Sequence, residues 1–535
     1  MSGPLLVGID VGTLSARAGL FDLRGACLSA TSAGFELIRP DEHQAVYRMD
    51  AIWGAVGEAV RTCLARVPGS ASAVAALAFD ATASLALRAA GGPPLAGGAD
   101  VVCWMDHRGE REAEEIGRSG DRLLRYTGGT MFPEIHLPKL LWLKRRDPAA
   151  WARVTAARDL CDELAFRATG TDRHSLCGLA CKWPYLPADP EPWRRELLDR
   201  LGLADLLDRA LPDMPPAPVG AVHGHLTPKA AAELGLEAGR PVAVGLIDAE
   251  AGTLGVLGRG YRARMNEVCA LIGGTSTSYM AFAIDERTIP GVWGPFRDAV
   301  FPGYWMHESG QSLTGAALDA VLAQHPAGPG EASPEAHASA AAAVLARLDQ
   351  EGPAFAAQRH LVPDWLGNRS PLGNGAVRAL ATGLGPETGE RAFLEAYYAT
   401  ARAVVLQARH IIEHLNVHGY AIRRVALSGG HLRNPLLTRF YCDALGLDVV
   451  LSDTPEPVLL GTAMTAAVAA GLVPDLFAAL DAMAPVQSVA SADPAWKAPH
   501  AAAYAIYRGL FEARNEAAEA GRRLAASLAP ATEPA

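Results

Sequence analysis

The chain has 535 residues, of which 50% are apolar and 20% charged, and its formal net charge is −10. This length exceeds what one hydrophobic core usually supports, so we expect two domains of about 200 to 280 residues. An acidic chain disfavours nucleic acid and anionic membranes as partners, and eight scattered cysteines are typical of reduced thiols. Because the sequence shows neither an export leader nor a run of about 18 apolar residues, we expect a cytoplasmic protein without a membrane span.

Five apolar strands are predicted along the chain, separated by segments of helical periodicity. In chain order the strands are "LLVGID", "AVAALAFD", "RPVAVGLID", "EVCALIGG" and "RRVALSGG", and the clearest helices are "MDAIWGAVGEAVRTCLARV" and "RAFLEAYYATARAVVLQARHIIEHLNVHG". This alternation indicates an α/β fold. Each strand ends in Asp or Gly, and ligands of α/β sheets bind at the carboxyl ends of strands. The functional residues are therefore expected at these strand ends.

The first strand runs into a polar turn, "GIDVGTLSAR". Backbone N–H groups and hydroxyls in such a turn can bind phosphate oxygens, and a carboxylate at the strand end can hold Mg²⁺. We therefore predict that Thr13, Ser15 and Arg17 face phosphates and that Asp10 faces the metal. A purely structural hairpin would carry the same letters, so this turn alone leaves both interpretations open.

Two further turns carry the same features. "IGGTSTSY" offers Gly274 and Thr275 as phosphate contacts, and "VALSGGHLRNPLL" offers Gly429 and Gly430 before a helix with Asn434 in its first turn. Phosphate turns in both halves of the chain suit a nucleoside triphosphate bound in a cleft. The sequence contains no Gly-x-x-x-x-Gly-Lys-Ser/Thr P-loop, and the glycines of "GTLGVLGRG" are not spaced as a dinucleotide-binding fingerprint. For that segment we predict close helix packing.

The two halves open in the same way, with "VGIDVGT" and then "LIGGTST". We predict two related lobes, 1–260 and 261–485, which face each other across a cleft. They are followed by a C-terminal helical segment and frayed tail, 486–535. The Ala-rich region 316–360 is predicted to be helical.

The segment "HSLCGLAC" brings His174, Cys177 and Cys181 close together in the chain. A zinc site would need a fourth ligand at matching spacing, usually from a second close pair, and none is apparent. We therefore predict small thiols packed on a helix face.

Taken together, these pieces resemble the FGGY family of carbohydrate kinases, and the resemblance covers almost the whole chain. The matching segments are "GIDVGTLSAR", "WMDHR", "LPKLLWLK", "GLIDAEAG", "GGTST", "ESGQS", "GNRSP", "SGGHLRNPL" and "EPVLLGTAM". Each is weak alone, but the set is specific. The resemblance implies a two-lobed fold of the actin, hexokinase and Hsp70 type (ribonuclease H-like), with the active site in the inter-lobe cleft and ATP and Mg²⁺ as cofactors.

The resemblance also implies roles for single residues. Asp248, at the end of "GLID", corresponds to the general base that accepts the proton of the sugar hydroxyl; without the family it could equally cap the following helix. "WMDHR", "CKWPY", "ESGQS" and "GNRSP" look most like the ribulose-kinase branches. The sugar-binding residues implied, besides Asp248, are Ala83, Trp104, Lys182 and Glu308. Glu250 departs from the pattern, since relatives often have His there, and this leaves the exact sugar open.

The sequence thus predicts an ATP- and Mg²⁺-dependent kinase that converts D-ribulose to D-ribulose 5-phosphate. L-ribulose, ribitol and xylulose stay as alternative substrates. A sugar-sensing or chaperone-like ATPase of the same fold is the alternative outside the kinases, and it would show no sugar-dependent release of ADP. The partners expected are a small sugar and ATP, and the oligomeric state is left open, with a homodimer as one alternative.

Overall fold

The computed structural model describes residues 3–210, 214–452 and 454–528. In chain order its strands are β1 (Leu5–Val11), β2 (Ser15–Phe21), β3 (Cys27–Gly34), β4 (Val46–Tyr47), β5 (Val74–Ala81), β6 (Leu85–Ala89), β7 (Val101–Val102), β8 (Val154–Asp159), β9 (Val222–His225), β10 (Pro241–Ala243), β11 (Leu246–Ile247), β12 (Val268–Gly273), β13 (Thr277–Ala283), β14 (Trp293–Arg297), β15 (Trp305–Gln311), β16 (His360–Val362), β17 (Leu380–Thr382), β18 (Arg424–Gly429), β19 (Asp448–Ser452) and β20 (Gln487–Ala490).

Helices alternate with these strands, which confirms the predicted α/β class. They are α1 (Met49–Ala65), α2 (Ser70–Ala73), α3 (Glu110–Gly117), α4 (His136–Arg146), α5 (Pro148–Arg153), α6 (Leu160–Thr169), α7 (Leu176–Lys182), α8 (Arg195–Arg200), α9 (Leu207–Ala210), α10 (Pro228–Leu234), α11 (Asp248–Val256), α12 (Gly315–Gln324), α13 (Pro334–Glu351), α14 (Glu390–Val417), α15 (Pro435–Leu445), α16 (Pro457–Ala469), α17 (Leu476–Met483) and α18 (Pro494–Leu528).

Two seven-stranded sheets organise the chain. The first follows the order β3-β2-β1-β5-β10-β9, with β11 paired to β5, and the second follows β14-β15-β13-β12-β18-β19-β20. In each sheet an antiparallel hairpin, β1–β2 or β12–β13, lies with its first strand parallel to an inner strand, β5 or β18. The central strand β1 is buried along its whole length, as expected for a parallel strand covered on both faces. The two halves therefore have the same construction, as predicted for related lobes.

The predicted strand "RPVAVGLID" is wrong as a single element, because it forms two short strands, β10 and β11. Val242 pairs with Leu77 and Leu246 pairs with Asp80, so this segment advances four residues while β5 advances three. One extra residue disrupts the ladder and bends the chain, as in a β-bulge. The bend delivers the end of β11 next to the end of β5.

The predicted helices are found with small changes. The region 316–360, predicted to be helical, contains the two helices α12 and α13 and reaches the first residue of β16. The C-terminal segment is helical through α18, and the end predicted to fray, 529–535, lies outside the described residues. The lobe boundary at 260/261 stays a prediction, since α16 lies against β1 and β5 of the first sheet as well as against α11.

Helices α11 and α16 pack with little space between their backbones. A side-chain methyl at Gly255 would overlap the Pro457 carbonyl, and one at Gly461 would overlap the Ala251 carbonyl. Glycine is needed here because any larger residue would push the helices apart. This confirms the helix-packing prediction for Gly255, whereas Gly258 and Gly260 of "GTLGVLGRG" lie beyond the end of α11.

Gly461→Ala should therefore destabilise the protein by about 1–3 kcal/mol, the usual cost of overpacking a tight contact. The measurement is chemical denaturation followed by circular dichroism. Gly509→Ala in α18 is the matched control, because its added methyl meets no atom within 4 Å and alanine favours helix. Equal stability of Gly461→Ala and the parent would contradict the close packing.

Candidate active site

Three aspartates meet at the carboxyl ends of adjacent strands. Asp10 on β1 lies directly opposite Asp80 on β5, and Leu246 of β11 pairs with Asp80, so Asp248 follows immediately. Asp10 and Asp80 are buried, whereas Asp248 is partly accessible. The register of the sheet thus places the predicted base beside the predicted metal ligand. Asp80 is a functional candidate that site prediction missed, although its strand was among those that end in Asp.

Crowding of these carboxylates changes their ionisation. Burial, and then the charge of Asp10, raises the pKa of Asp248 to about 6, against the opposing effect of the Ala249 N–H that donates to Asp248 Oδ1 at 2.8 Å. Burial and Asp10 likewise raise the pKa of Asp80 well above its usual value. A carboxylate with a pKa near 6 is ionised at neutral pH and still basic enough to accept a proton in a transition state.

Arg17 supplies the positive charge closest to this group. Its guanidinium pairs with Asp10, and its Nη1 donates to Glu456 Oε2 at 3.2 Å, immediately before α16. The predicted phosphate contact is therefore engaged with two carboxylates in this structure. It joins the turn of the first sheet to the start of α16, and its role toward phosphate stays a prediction.

The hydroxyl-containing turn after β1 is held by hydrogen bonds, one of which comes from Trp104. The indole Nε1 donates to Thr13 Oγ1 at 3.1 Å, the Tyr47 hydroxyl donates to the Thr13 carbonyl at 2.9 Å, and the Gly12 N–H donates to the Ser15 carbonyl at 3.0 Å. These bonds fix the turn and place Trp104, the predicted wall of the sugar pocket, directly beside it.

The phosphate turns of the second sheet lie together at one edge. Gly273 pairs with Gly429, so the residues that follow β12 and β18 are neighbours. Gly274, Thr275 and Gly430 are exposed, although the Gly274 N–H already donates to the Ser276 carbonyl and the Gly274 carbonyl accepts from the Gly315 N–H.

The side chain of Asn434 is engaged in hydrogen bonds within the protein. Its amide oxygen accepts hydrogen bonds from two backbone N–H groups at the start of α15, and its amide nitrogen donates to the Tyr397 hydroxyl at 2.8 Å. It is thus a helix N-cap, and its predicted contact with nucleotide stays a prediction.

The predicted sugar residues Lys182 and Glu308 come close to Trp293. Lys182 ends α7, and its Nζ lies 4.7 Å from the centroid of the Trp293 ring, while Trp293 pairs across the sheet with Glu308. Burial by itself lowers the pKa of Lys182, but the acidic groups of Glu308, Cys181 and Glu250 more than offset this, so the pKa is raised. The ammonium, the carboxylate and the aromatic face form the mixed polar and apolar lining that sugar sites use.

Sequence reasoning missed Trp293, because "GVWGPF" carries no pattern of its own. Ala83 lies just beyond β5, three residues after Asp80, and is partly buried. The structure thus places Lys182 and Glu308 near Trp293, and Trp104 beside Thr13. Their contact with a sugar stays a prediction.

Models of the FGGY carbohydrate kinase family match both halves of the chain. The N-terminal domain model matches residues 5–255 and the C-terminal domain model matches residues 269–470. The chain belongs to the FGGY family of carbohydrate kinases. It is therefore a phosphotransferase that acts on an alcohol group of a carbohydrate, which removes the non-kinase ATPase as an alternative.

Several FGGY relatives and solved structures are similar over most of the chain. An FGGY carbohydrate kinase domain-containing protein of Xenopus laevis is 34% identical over 90% of this chain and 92% of its own. A D-ribulokinase of Saccharomyces cerevisiae is 31% identical over 86% of this chain and 71% of its own. The structure of a xylulose kinase from Rhodospirillum rubrum matches with a TM-score of 0.76 at 22% identity, over 96% of this chain and 100% of that one. This confirms the two-lobed kinase fold.

Among the residues that the structure describes, no helix combines the length and the apolar character needed to cross a membrane.

If Asp248 accepts the sugar proton, kcat/KM for the sugar should fall about tenfold per pH unit below about 6, because only the carboxylate is a base. The pH at which kcat/KM begins to fall should lie near the Asp248 pKa of about 6, which is raised by burial and by Asp10. Rates are measured from pH 5 to 8 with Mg·ATP well below saturation, so that the profile reports the metal-free enzyme, after checking that the enzyme survives incubation at pH 5. A constant kcat/KM down to pH 5 would contradict the raised pKa.

Proposed function

We propose that this FGGY kinase phosphorylates the terminal hydroxyl of D-ribulose with ATP, to give D-ribulose 5-phosphate. The observation that carries the sugar assignment is the 31% identity to a D-ribulokinase over 86% of the chain. The pocket supports it, because Lys182 and Glu308 supply a donor and an acceptor for sugar hydroxyls beside the Trp293 face. L-ribulose is the second candidate, since a ribulokinase of Shouchella clausii, whose name leaves the stereochemistry of ribulose open, is 29% identical over 87% of the chain.

In the proposed reaction Asp248 is the general base. The terminal hydroxyl of the sugar attacks the γ-phosphorus of ATP in line, the O–H proton passes to the Asp248 carboxylate, and ADP leaves. Lys182 and Glu308 hold the other hydroxyls, so that the attacking oxygen is oriented when the lobes bring ATP to it. The exposed turns that contain Gly274, Thr275 and Gly430 contact the phosphates, together with the turn that contains Thr13 and Ser15.

A divalent cation fits the carboxylates at the strand ends. Asp80 Oδ1 is buried without a hydrogen-bond partner, and mutual repulsion in this group is what a cation would relieve. Asp10 would hold Mg²⁺ directly or through water, with Asp80 beside it. When bound, Mg²⁺ neutralises charge on the phosphates.

A cytoplasmic location is also proposed, because all eight cysteines are free thiols, as expected in a reducing compartment.

Among D-ribulose, L-ribulose, D-xylulose, ribitol and glycerol, we expect D-ribulose to give the highest kcat/KM in a coupled assay for ADP. A tenfold advantage corresponds to about 1.4 kcal/mol of transition-state binding. Xylulose or glycerol winning by that margin would overturn the sugar assignment. It would leave the kinase activity itself intact.

Asp248→Asn should lower turnover by about 10²-fold or more, the usual scale of general-base catalysis. Sugar affinity, measured by calorimetry, should change far less, because the amide keeps the shape and can still accept a hydrogen bond. Glu308→Gln is the comparison variant, and it should raise KM more than it lowers kcat. If Asp248→Asn keeps activity within a few-fold, Asp248 is only the first residue of α11 and the base lies elsewhere.

A further inference from the structure

Two cysteines and a glutamate meet in a buried cluster next to Lys182. Cys177 and Cys181 lie one turn apart on α7, and Glu250 comes from the first turn of α11. One donor atom from each side chain lies within 4.8 Å of the other two. All three residues are buried, so the cluster is a feature of the interior and not a chance grouping on the surface.

The spacing of these atoms fits a tetrahedral metal. Cys181 Sγ lies 3.8 Å from Glu250 Oε1. Two ligands bound to zinc at the usual zinc–sulfur and zinc–oxygen lengths are about 3.6 Å apart. The two sulfurs share one face of the helix because residues four apart lie above one another. The donor atoms would therefore need to move little to bind an ion.

Glu250 also shows an independent sign of a missing partner. Its Oε2 is buried without a hydrogen bond, and the residue as a whole is 1% exposed. Most buried polar atoms in native proteins have a partner, since leaving one unpaired costs about 1–3 kcal/mol. An ion among the three side chains that is bound by both carboxylate oxygens of Glu250 would supply that partner.

We propose that Cys177, Cys181 and Glu250 form a binding site for a thiophilic divalent cation, with zinc as the natural ion. Sulfur ligands select zinc over magnesium, which prefers oxygen. Three protein ligands leave the fourth position of a tetrahedral ion to water. This site is separate from the Mg²⁺ expected at Asp10.

Zinc binding at this site can be written with balanced protons and charge. Zn²⁺ binding releases one proton from each thiol and one from the Glu250 carboxyl, whose pKa is raised to about 8 by burial and by Glu308. The ligands then carry three negative charges and the ion two positive ones, which leaves one negative charge. The neighbouring Lys182 ammonium, whose pKa is already raised by Cys181 and Glu250, compensates for this remaining negative charge.

Sequence spacing alone could not reveal this site. The local segment offers His174 with the two cysteines, yet His174 is not a member of the cluster; its ring lies instead beside that of Trp183. The third ligand is 69 residues away from Cys181. It arrives only because α7 and the start of α11 are neighbours in the fold.

The test uses the full-length protein, first treated with a chelator and then titrated with Co²⁺. We expect one equivalent to bind with thiolate-to-cobalt charge-transfer absorption in the near ultraviolet, and Zn²⁺ but not excess Mg²⁺ to abolish that absorption. Absence of the band in the parent protein would overturn the proposal without any variant.

Variants then locate the ion. Cys181→Ser should abolish the band and weaken Zn²⁺ binding at least about 100-fold, more than loss of an outer-shell contact does. Cys63→Ser is the matched control, because Cys63 is equally buried on α1 and is not part of the cluster. Circular dichroism checks the fold, and Cys177→Ser, which removes the other sulfur ligand, is the second ligand variant if Cys181→Ser does not fold. Retention of the band in both ligand variants, or its loss in Cys63→Ser, would overturn the site.

Discussion

The close packing of α11 against α16 is the contact on which the active site depends. The helices can approach only because Gly255 and Gly461 lack side chains. That approach fixes Asp248 at the start of α11, brings the Thr462 hydroxyl to donate to Asp80, and places Glu456 beside Arg17. Residues from near the C-terminal end of the second half thereby hold the strand ends of the first sheet. A rigid junction of this kind keeps the Asp248 carboxylate in a fixed position relative to the strand ends.

The carboxylate group at this junction is costly to the fold. Placing Asp10, Asp80 and Asp248 at neighbouring strand ends sets like charges close together in a poorly hydrated place, which favours protonation and lowers stability. Arg17 offsets part of that repulsion through its pair with Asp10. The raised pKa of Asp248, about 6, is a direct consequence of the same crowding. The crowding that destabilises the strand ends thus also raises the pKa of the Asp248 carboxyl, a kind of shift that is common at functional sites.

The fold by itself does not determine which sugar is the substrate. Solved xylulose kinases and a gluconate kinase share this architecture at about a fifth sequence identity, so one scaffold carries several substrates and specificity lies in a few side chains. In this chain the side chains proposed for that role are the buried Lys182 and the partly accessible Glu308, beside the Trp293 face. Glu250, two residues after Asp248, adds a buried acid behind this pocket and connects it to the two cysteines of α7.

Local sequence determined the strands, the long helices and the polar turns, because periodicity, glycines and strand-end aspartates act over a few residues. It was enough to single out Asp10 and, through the family resemblance, Asp248. Tertiary structure alone decided that β10 and β11 separate, that Asp80 stands beside Asp10, and that Trp293 lies over Lys182. It also joined Glu250 to Cys177 and Cys181. The reason is physical: sheet register and helix packing bring together residues that are far apart in the chain, and such contacts leave no local pattern in the sequence.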